Sequence, residues 1–392
     1  MPELDCQTGE NMTKKKSSDV GEVATGGQID QTNPAAAAEE QPKVDISFSR
    51  GLAGFLASNG ISLAFTSYQS GRLYLVGHGP DGKLSLHEAV YPKAMGVVGD
   101  ENRLYLGTLT QIVRMENVLG PDQLANEAHD KVYVPRNFQT VGDVDIHELG
   151  IRENGKIVFV NTKFGCLCEP SLTHSFKPIW KPPFLSQLVA EDRCHLNGLA
   201  MVDGRPKYVT AVSRSDAVDG WRDRRHDGGV VIDVETNEII AEGLSMPHSP
   251  RWHDNKLWVL NSGSGELGYI DPKKKRFEPV MFCPGFLRGL AFHNGHAVLT
   301  LSKPRHGRFE GLELDEKLKD KDTEAWCGVQ VLNLANTSVA QWLRLDGPII
   351  ELFDATVLPG VRNPLTLGPN SQEIREFLTI ETPEWANAPQ PA

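Results

Sequence analysis

Apolar and polar positions along most of this chain fall into short runs, and the runs come in pairs. Ile61-Ser-Leu-Ala-Phe65 is followed by Leu73-Tyr-Leu-Val76, and similar runs appear at Leu104-Tyr-Leu106, Ile157-Val-Phe-Val160 and Leu257-Trp-Val-Leu260. They are too short for helices and rich in β-branched and aromatic residues, so they predict strands. The clearest pair runs from Cys194-His195-Leu196-Asn197 to Val202, through Asp203-Gly204, and on from Pro206 to Ser213. Asp-Gly suits the positive φ of a two-residue hairpin turn. Glu101-Asn102, Asn154-Gly155, Asp254-Asn255 and Asn294-Gly295 mark equivalent turns elsewhere.

Each hairpin is followed by one or two further strands, and the unit recurs at a spacing of roughly 40 to 55 residues, as the blades of a propeller do. About six units fit between residues 44 and 368, so an all-β fold is expected, a β-propeller of six blades. The first unit has no inner strand of its own. Ile349-Ile-Glu-Leu-Phe353 is expected to supply it and close the ring by pairing N- and C-terminal segments. Residues 1–43 are polar and low in complexity, with Lys14-Lys15-Lys16 and Ala35 to Ala38, and predict a disordered tail ahead of the 44–368 domain; residues 369–392 form a C-terminal tail.

Composition narrows the function classes. The net charge of −11 argues against a nucleic-acid binder, because that affinity rests on Lys and Arg. No run of 18 apolar residues and no charged-then-apolar leader is present, so neither a membrane span nor a secretory signal is read, and the expected location is cytoplasmic. The six cysteines, Cys6, Cys166, Cys168, Cys194, Cys283 and Cys327, show no paired spacing and suggest reduced core thiols. Cys166 and Cys168 would share one face of a strand.

Aligning the units on their turns puts Glu148, Asn197, Ser249, Arg288 and Met95 in one slot on the channel rim. His147 and His248 fall in the slot before it; His195 comes one residue earlier still and needs a bulge or another rotamer to join them. Neutral imidazole suits zinc, iron and copper, so His147, His195, His248 and Asn197 are the expected ligands of a divalent metal, with zinc, iron, copper and calcium not distinguished. Glu148 would be a ligand or general base, and Arg288 an electrophile or carboxylate anchor. Alternatively, the histidines bond loop carbonyls and tie blades together. Arg222 in the arginine-dense loop 213–227, Arg305 in the sixth unit's loop, and Tyr68 and Gln69 in the first unit's loop are the expected substrate-binding residues, although the acids around Arg222 also allow an internally salt-bridged loop. The alternating charges from Glu313 to Glu324 suggest a short helical lid.

Asn197-Gly-Leu-Ala200 resembles the Asn-Gly-Leu motif of the senescence-marker-protein/gluconolactonase and strictosidine-synthase-like propellers, where the resemblance implies that the Asn is a metal ligand. His147-Glu148-Leu149 is similar to the inner-strand Glu ligand of those lactonases, while Ser249 stands where their third, acidic ligand would be. Histidines on successive inner strands resemble the six-bladed peptidylglycine lyases, whose zinc is held by three His. As a whole, residues 50–368 are similar to a bacterial family of conserved hypothetical propeller proteins, through Ser62 to Gln69, Met95-Gly96 and Cys194 to Gly198. The expected function is a metal-dependent hydrolase or lyase acting on a small anionic or lactone-like substrate at the channel mouth. The alternative is a non-catalytic platform for ligands or proteins.

Overall fold

The computed structural model describes residues 44–381 apart from 272 and 310; the tail expected at 1–43 and the end of the C-terminal tail, from 382, lie outside these residues. Among these residues six sheets, antiparallel but for one parallel edge pairing in blade two, form six blades of a β-propeller. Their inner strands are Ala355–Pro359, Val97–Gly99, Ile146–Ile151, Leu196–Val202, Pro247–His253 and Phe286–His293, for blades one to six.

The turns read from sequence fold as hairpins for the expected reason. Asp203 and Gly204 have φ of 48° and 68°, and Asn294 and Gly295 have 43° and 70°, both residues of each pair lying in the left-handed region. Blade one takes its inner strand from the far end of the chain, with Ile61 opposite Pro359 and Phe65 opposite Ala355. The closing strand therefore begins just beyond Ile349–Phe353. That apolar segment, expected to be the strand, is an irregular stretch whose Glu351 and Phe353 side chains face the channel mouth. Asp45–Phe48 adds a fifth strand outside blade six, against Ser338–Asp346, and Pro364–Thr366 adds one to blade two. Part of the segment read as a C-terminal tail is thus ordered: a short 3-10 turn at Gln372–Arg375 packs Ile374 against Val132, Val134 and Leu367.

Apolar clusters fill the gaps between neighbouring blades, as with Leu52, Phe65, Tyr74, Val329 and Val357 between blades six and one. Hydroxyls then stitch the blades. Thr66, Thr162, Ser262 and Thr300 each donate through the side-chain oxygen to a main-chain carbonyl of the following blade's inner segment: Met95, Leu196, Leu287 and Phe353, at 2.6, 2.7, 2.5 and 2.6 Å. A β-bulge interrupts the inner strands of blades four, five and six at Asn197, Ser249-Pro250 and Arg288-Gly289. Gly289 fits its bulge because a Cβ there would stand 2.6 Å from the Ala355 nitrogen.

The bulge in blade five releases Arg251 into the channel. Its Nε donates to the Leu290 carbonyl (2.9 Å), Nη1 to the carbonyls of Leu199 (3.3 Å) and Pro250 (3.0 Å), and Nη2 to Glu148 Oε1 (2.5 Å), with Asp354 Oδ1 at 3.5 Å. One guanidinium therefore links blades three, four and six and the segment that enters blade one. Burial raises the Glu148 carboxyl against the lowering pull of Arg251, and burial together with Glu148 pushes Asp354 up to about 8. Removing the guanidinium leaves two buried carboxyls without their cation. Arg251→Met should cost about 3–5 kcal/mol, as loss of one partner of a buried pair does. With the cation gone, both acids hold protons more tightly in the folded chain than in the unfolded one, so the loss should be smaller at pH 5 than at pH 8. Urea midpoints at the two pH values measure this; an equal, small loss at both would contradict it.

Candidate functional site

The inner strands of blades three, four and five bring three histidines to one cleft of about 510 Å³ at the channel mouth. His147 and His248 sit at equivalent strand positions. His195, one residue early, reaches them because its backbone is left-handed, φ 51°, just before its strand starts. The His147 and His195 rings meet edge to face at 5.0 Å, and Phe353 packs on the other side of His147 at 5.2 Å.

Each Nδ1 is engaged by the protein. His147 Nδ1 lies 3.2 Å from the Asp145 carbonyl and 2.8 Å from Thr162 Oγ1. His248 Nδ1 lies 2.9 Å from both the Met246 carbonyl and Ser262 Oγ. His195 Nδ1 lies 2.8 Å from Asp192 Oδ2. A carbonyl and a carboxylate can only accept, and the Thr162 and Ser262 protons are committed to the Leu196 and Leu287 carbonyls. All three Nδ1 atoms therefore carry the proton, and all three Nε2 atoms present a lone pair. None of these Nε2 atoms bonds a described residue.

The surroundings separate the three roles. Burial, then the neighbouring His195, push His147 down to about 4 against the opposing pull of Asp145. Burial, then Arg288, hold His248 well below the ordinary imidazole range. His195 alone has a carboxylate behind it, and Asp192 Oδ2 also accepts the Trp221 indole N–H at 2.8 Å. The Trp221 ring stacks on His195 at 4.2 Å, and the Arg222 guanidinium covers Trp221 at 4.6 Å.

Beside the histidines the cleft is cationic. Arg288 lies over the Phe286, Tyr68 and Phe353 rings at 4.7, 5.2 and 5.9 Å, donates to Ser302 Oγ at 3.1 Å and pairs with Glu351 at 3.2 Å. Arg305 reaches across from the blade-six loop to Glu351 at 2.8 Å and also donates to the Tyr68 hydroxyl, which itself bonds Glu351. Burial favours a neutral Glu351, but Arg288, Arg305 and Tyr68 outweigh it and hold the carboxyl below its usual range. Seven Lys or Arg side chains against three carboxylates line the cleft, in a chain whose net charge is −11.

Of the residues singled out in the sequence, His147, His195, His248, Arg288, Tyr68, Arg222 and Arg305 line this cleft. Glu148 and Asn197 do not. Glu148 is deeper, against Arg251, and Asn197 donates to the Pro247 carbonyl at 2.9 Å while its Oδ1 is buried without a partner. The channel position between Glu148 and Asp354 is thus taken by a guanidinium. Gln69 turns away to hold the 348–351 stretch, donating to the Pro348 carbonyl and accepting from the Ile350 and Glu351 amides. Within the arginine-dense loop Arg222 keeps an ion pair with Asp219 (3.2 Å), and the loop's Asp216 pairs outside it with Arg193 (2.7 Å). The expected lid is a helix, Glu313–Asp320, fixed as a wall by Leu314 and Leu318 and by Lys317 on Glu266 at 2.8 Å. Cys166 and Cys168 do share a strand face, fully buried, with sulfurs 3.4 Å apart. Among the described residues, no three His, Cys, Asp or Glu side chains are grouped so as to hold a metal ion.

Sequence reasoning passed over Asp192, Trp221, Glu351 and the supporting hydroxyls. The last had a signal: Asn161-Thr162 and Asn261-Ser262 follow His147 and His248 at nearly the same interval.

The profile described as "Domain of unknown function (DUF4915)" matches residues 50–367, and the chain belongs to that family. No curated protein matches its sequence. Solved structures similar to it include a chain of a nidogen/laminin complex (12% identity, TM-score 0.47, covering 77% of this chain and 99% of that one). Another is a catalytically inactive virginiamycin B lyase from Staphylococcus aureus with quinupristin (10%, 0.37, 78% and 100%). A third is luciferin-regenerating enzyme (12%, 0.38, 83% and 100%). At these identities the likeness is one of architecture.

The two depressed imidazoles have a consequence for stability. The unfolded chain takes up protons at His147 and His248 below pH ~6.5, an ordinary imidazole value, while the folded chain does not until about pH 4 at His147. Stability should be fully present above 6.5 and fall as pH drops from 6.5 toward 4. His147→Asn should flatten that fall, as read from urea midpoints across the range; identical slopes would rule out this contribution.

Proposed function

We propose that this member of the DUF4915 family is an enzyme that binds a small hydroxylated anion or its lactone at the channel mouth and carries out acid–base chemistry on it, by hydrolysis or elimination. The observation that supports this most is that His147, His195 and His248 line one cleft, each with an Nε2 that bonds no described residue, beside the largely buried guanidinium of Arg288. Arg288, flanked by rings, anchors a carboxylate more strongly than it would in water. His147 and His248, kept neutral by burial, accept hydrogen bonds from substrate hydroxyls or water. His195 is the base, because Asp192 fixes its tautomer and stabilises the imidazolium that forms. In hydrolysis, Nε2 takes a proton from water as the water oxygen attacks the acyl carbon, then returns it to the departing alkoxide. In elimination it takes the proton next to the carboxylate, the C–O bond to the β-hydroxyl breaks as the double bond forms, and the imidazolium returns the proton so that water departs, while Arg288 offsets the charge that develops at the carboxylate.

Turnover of a panel of small hydroxy acids and their lactones, followed by proton NMR in D₂O, tests this. His195→Asn should reduce turnover of any substrate found by about 10²–10⁴-fold, the range for a lost general base. Arg288→Gln should mainly weaken binding. Unchanged turnover in the His195 variant, or none with the native chain across the panel, would overturn the proposal.

A second reading keeps a divalent metal on His147, His195 and His248, whose side chains are not grouped as a metal site and would have to draw together to hold one. One feature favours it: every Nδ1 donates inward and every Nε2 is left with a lone pair, the state in which imidazole ligates. When bound, such an ion would supply a water of lowered pKa. Chelator-treated protein titrated calorimetrically with Zn²⁺, Fe²⁺, Cu²⁺ or Ca²⁺ should then bind one ion per chain, and His248→Ala should lose it. Absence of binding, or equal binding by the variant, would dismiss the metal.

A further inference from the structure

We infer that the anion taken beside Arg288 is a singly charged carboxylate and not a phosphoryl dianion, and that Glu351 sets this choice. The inference rests on the proposal that the cleft binds an anion. Two guanidiniums, Arg288 and Arg305, converge on the one carboxylate of Glu351, so this pole carries one net positive charge.

Of the other five cations lining the cleft, three are matched by carboxylates, and Arg225 and Arg308 complete the lining. Lys303 is matched by Asp346 at 3.0 Å, Lys93 is held by Asp145 and Asp143, and Arg222 is matched by Asp219. Glu351 cannot swing aside. Its backbone N–H donates to Gln69 Oε1 at 3.3 Å, its carbonyl accepts from Ser67 Oγ at 2.8 Å, and Tyr68 closes over the carboxylate. Arg288 spends one Nη1 proton on Ser302 and one Nη2 contact on Glu351, and its remaining N–H groups bond no described residue. That leaves an edge for one incoming carboxylate. Three aromatic rings around the guanidinium and a Glu351 side chain only 6% exposed keep water from screening a charge mismatch. A monoanion completes the charge balance. A dianion places its second charge against the Glu351 carboxylate.

Glycerate and glycerol 3-phosphate, hydroxylated three-carbon anions that differ by one charge at pH 8, are suitable probes by calorimetry or NMR titration. The native chain should bind glycerate at least about tenfold more tightly, and Glu351→Gln should raise affinity for both probes, more for glycerol 3-phosphate, so that the ratio between them falls about tenfold. Arg305→Gln, at an exposed side chain that the fold tolerates, should weaken glycerate binding about tenfold and serves if the Glu351 variant does not fold. Equal binding of both probes by the native chain, an unchanged ratio in folded Glu351→Gln, or full glycerate affinity in Arg305→Gln would overturn the inference while leaving an anion site. Binding of neither probe would remove the anion site itself, and the inference with it.

Discussion

The guanidinium of Arg251 is the contact on which the centre of this propeller depends. A ring of blades leaves a channel lined by strand ends whose carbonyls and side chains lack partners within their own sheets. Arg251 answers with donors to two neighbouring blades' carbonyls and its own, and with a cation for the carboxyls of Glu148 and Asp354. The carboxyls alone would repel each other in a poorly screened space, and the arginine alone would be an uncompensated buried charge. Together they fix where blades three, four, six and one meet, and hence where the histidines above them point.

The same economy appears one layer up. Thr162 and Ser262 join adjacent blades through their protons and orient His147 and His248 through their lone pairs. A hydroxyl can do both because it is donor and acceptor at once. Blade four follows a different plan. It has an aspartate and an indole where the others have a hydroxyl, and this sets His195 apart chemically from two histidines that otherwise resemble it.

The fold was largely legible because its signals are local. Asp203-Gly204 and Asn294-Gly295 declare their hairpins by the φ values they adopt, and the spacing of such turns declares blades. The closing strand was misplaced by a few residues because Ile349–Phe353 and Ala355–Pro359 are both apolar, and only pairing with Ile61–Phe65 distinguishes them. The histidines were found because they recur at one position in the repeat. Asp192 and Glu351 lie outside that repeat, in segments between blades, and Trp221 lies in a loop within blade four, where no periodicity marks them. Glu148 was read as part of the mouth because the alignment gives a residue's height along the strand and not its partner; Arg251, three residues past His248, has no counterpart in the other blades to announce it.

The closing strand has one more consequence, for the order in which the molecule becomes competent. Glu351 and Phe353 immediately precede Ala355–Pro359, so the residues that finish the cationic wall arrive with the strand that finishes the ring. Five blades can form from residues already synthesised, and their histidines can reach their hydroxyl and carboxylate supports. Arg288 and Arg305 have no counter-ion until the last blade is completed. Ribosomal synthesis therefore delivers structure early and the finished binding wall last, in the same step that makes the propeller a closed circle.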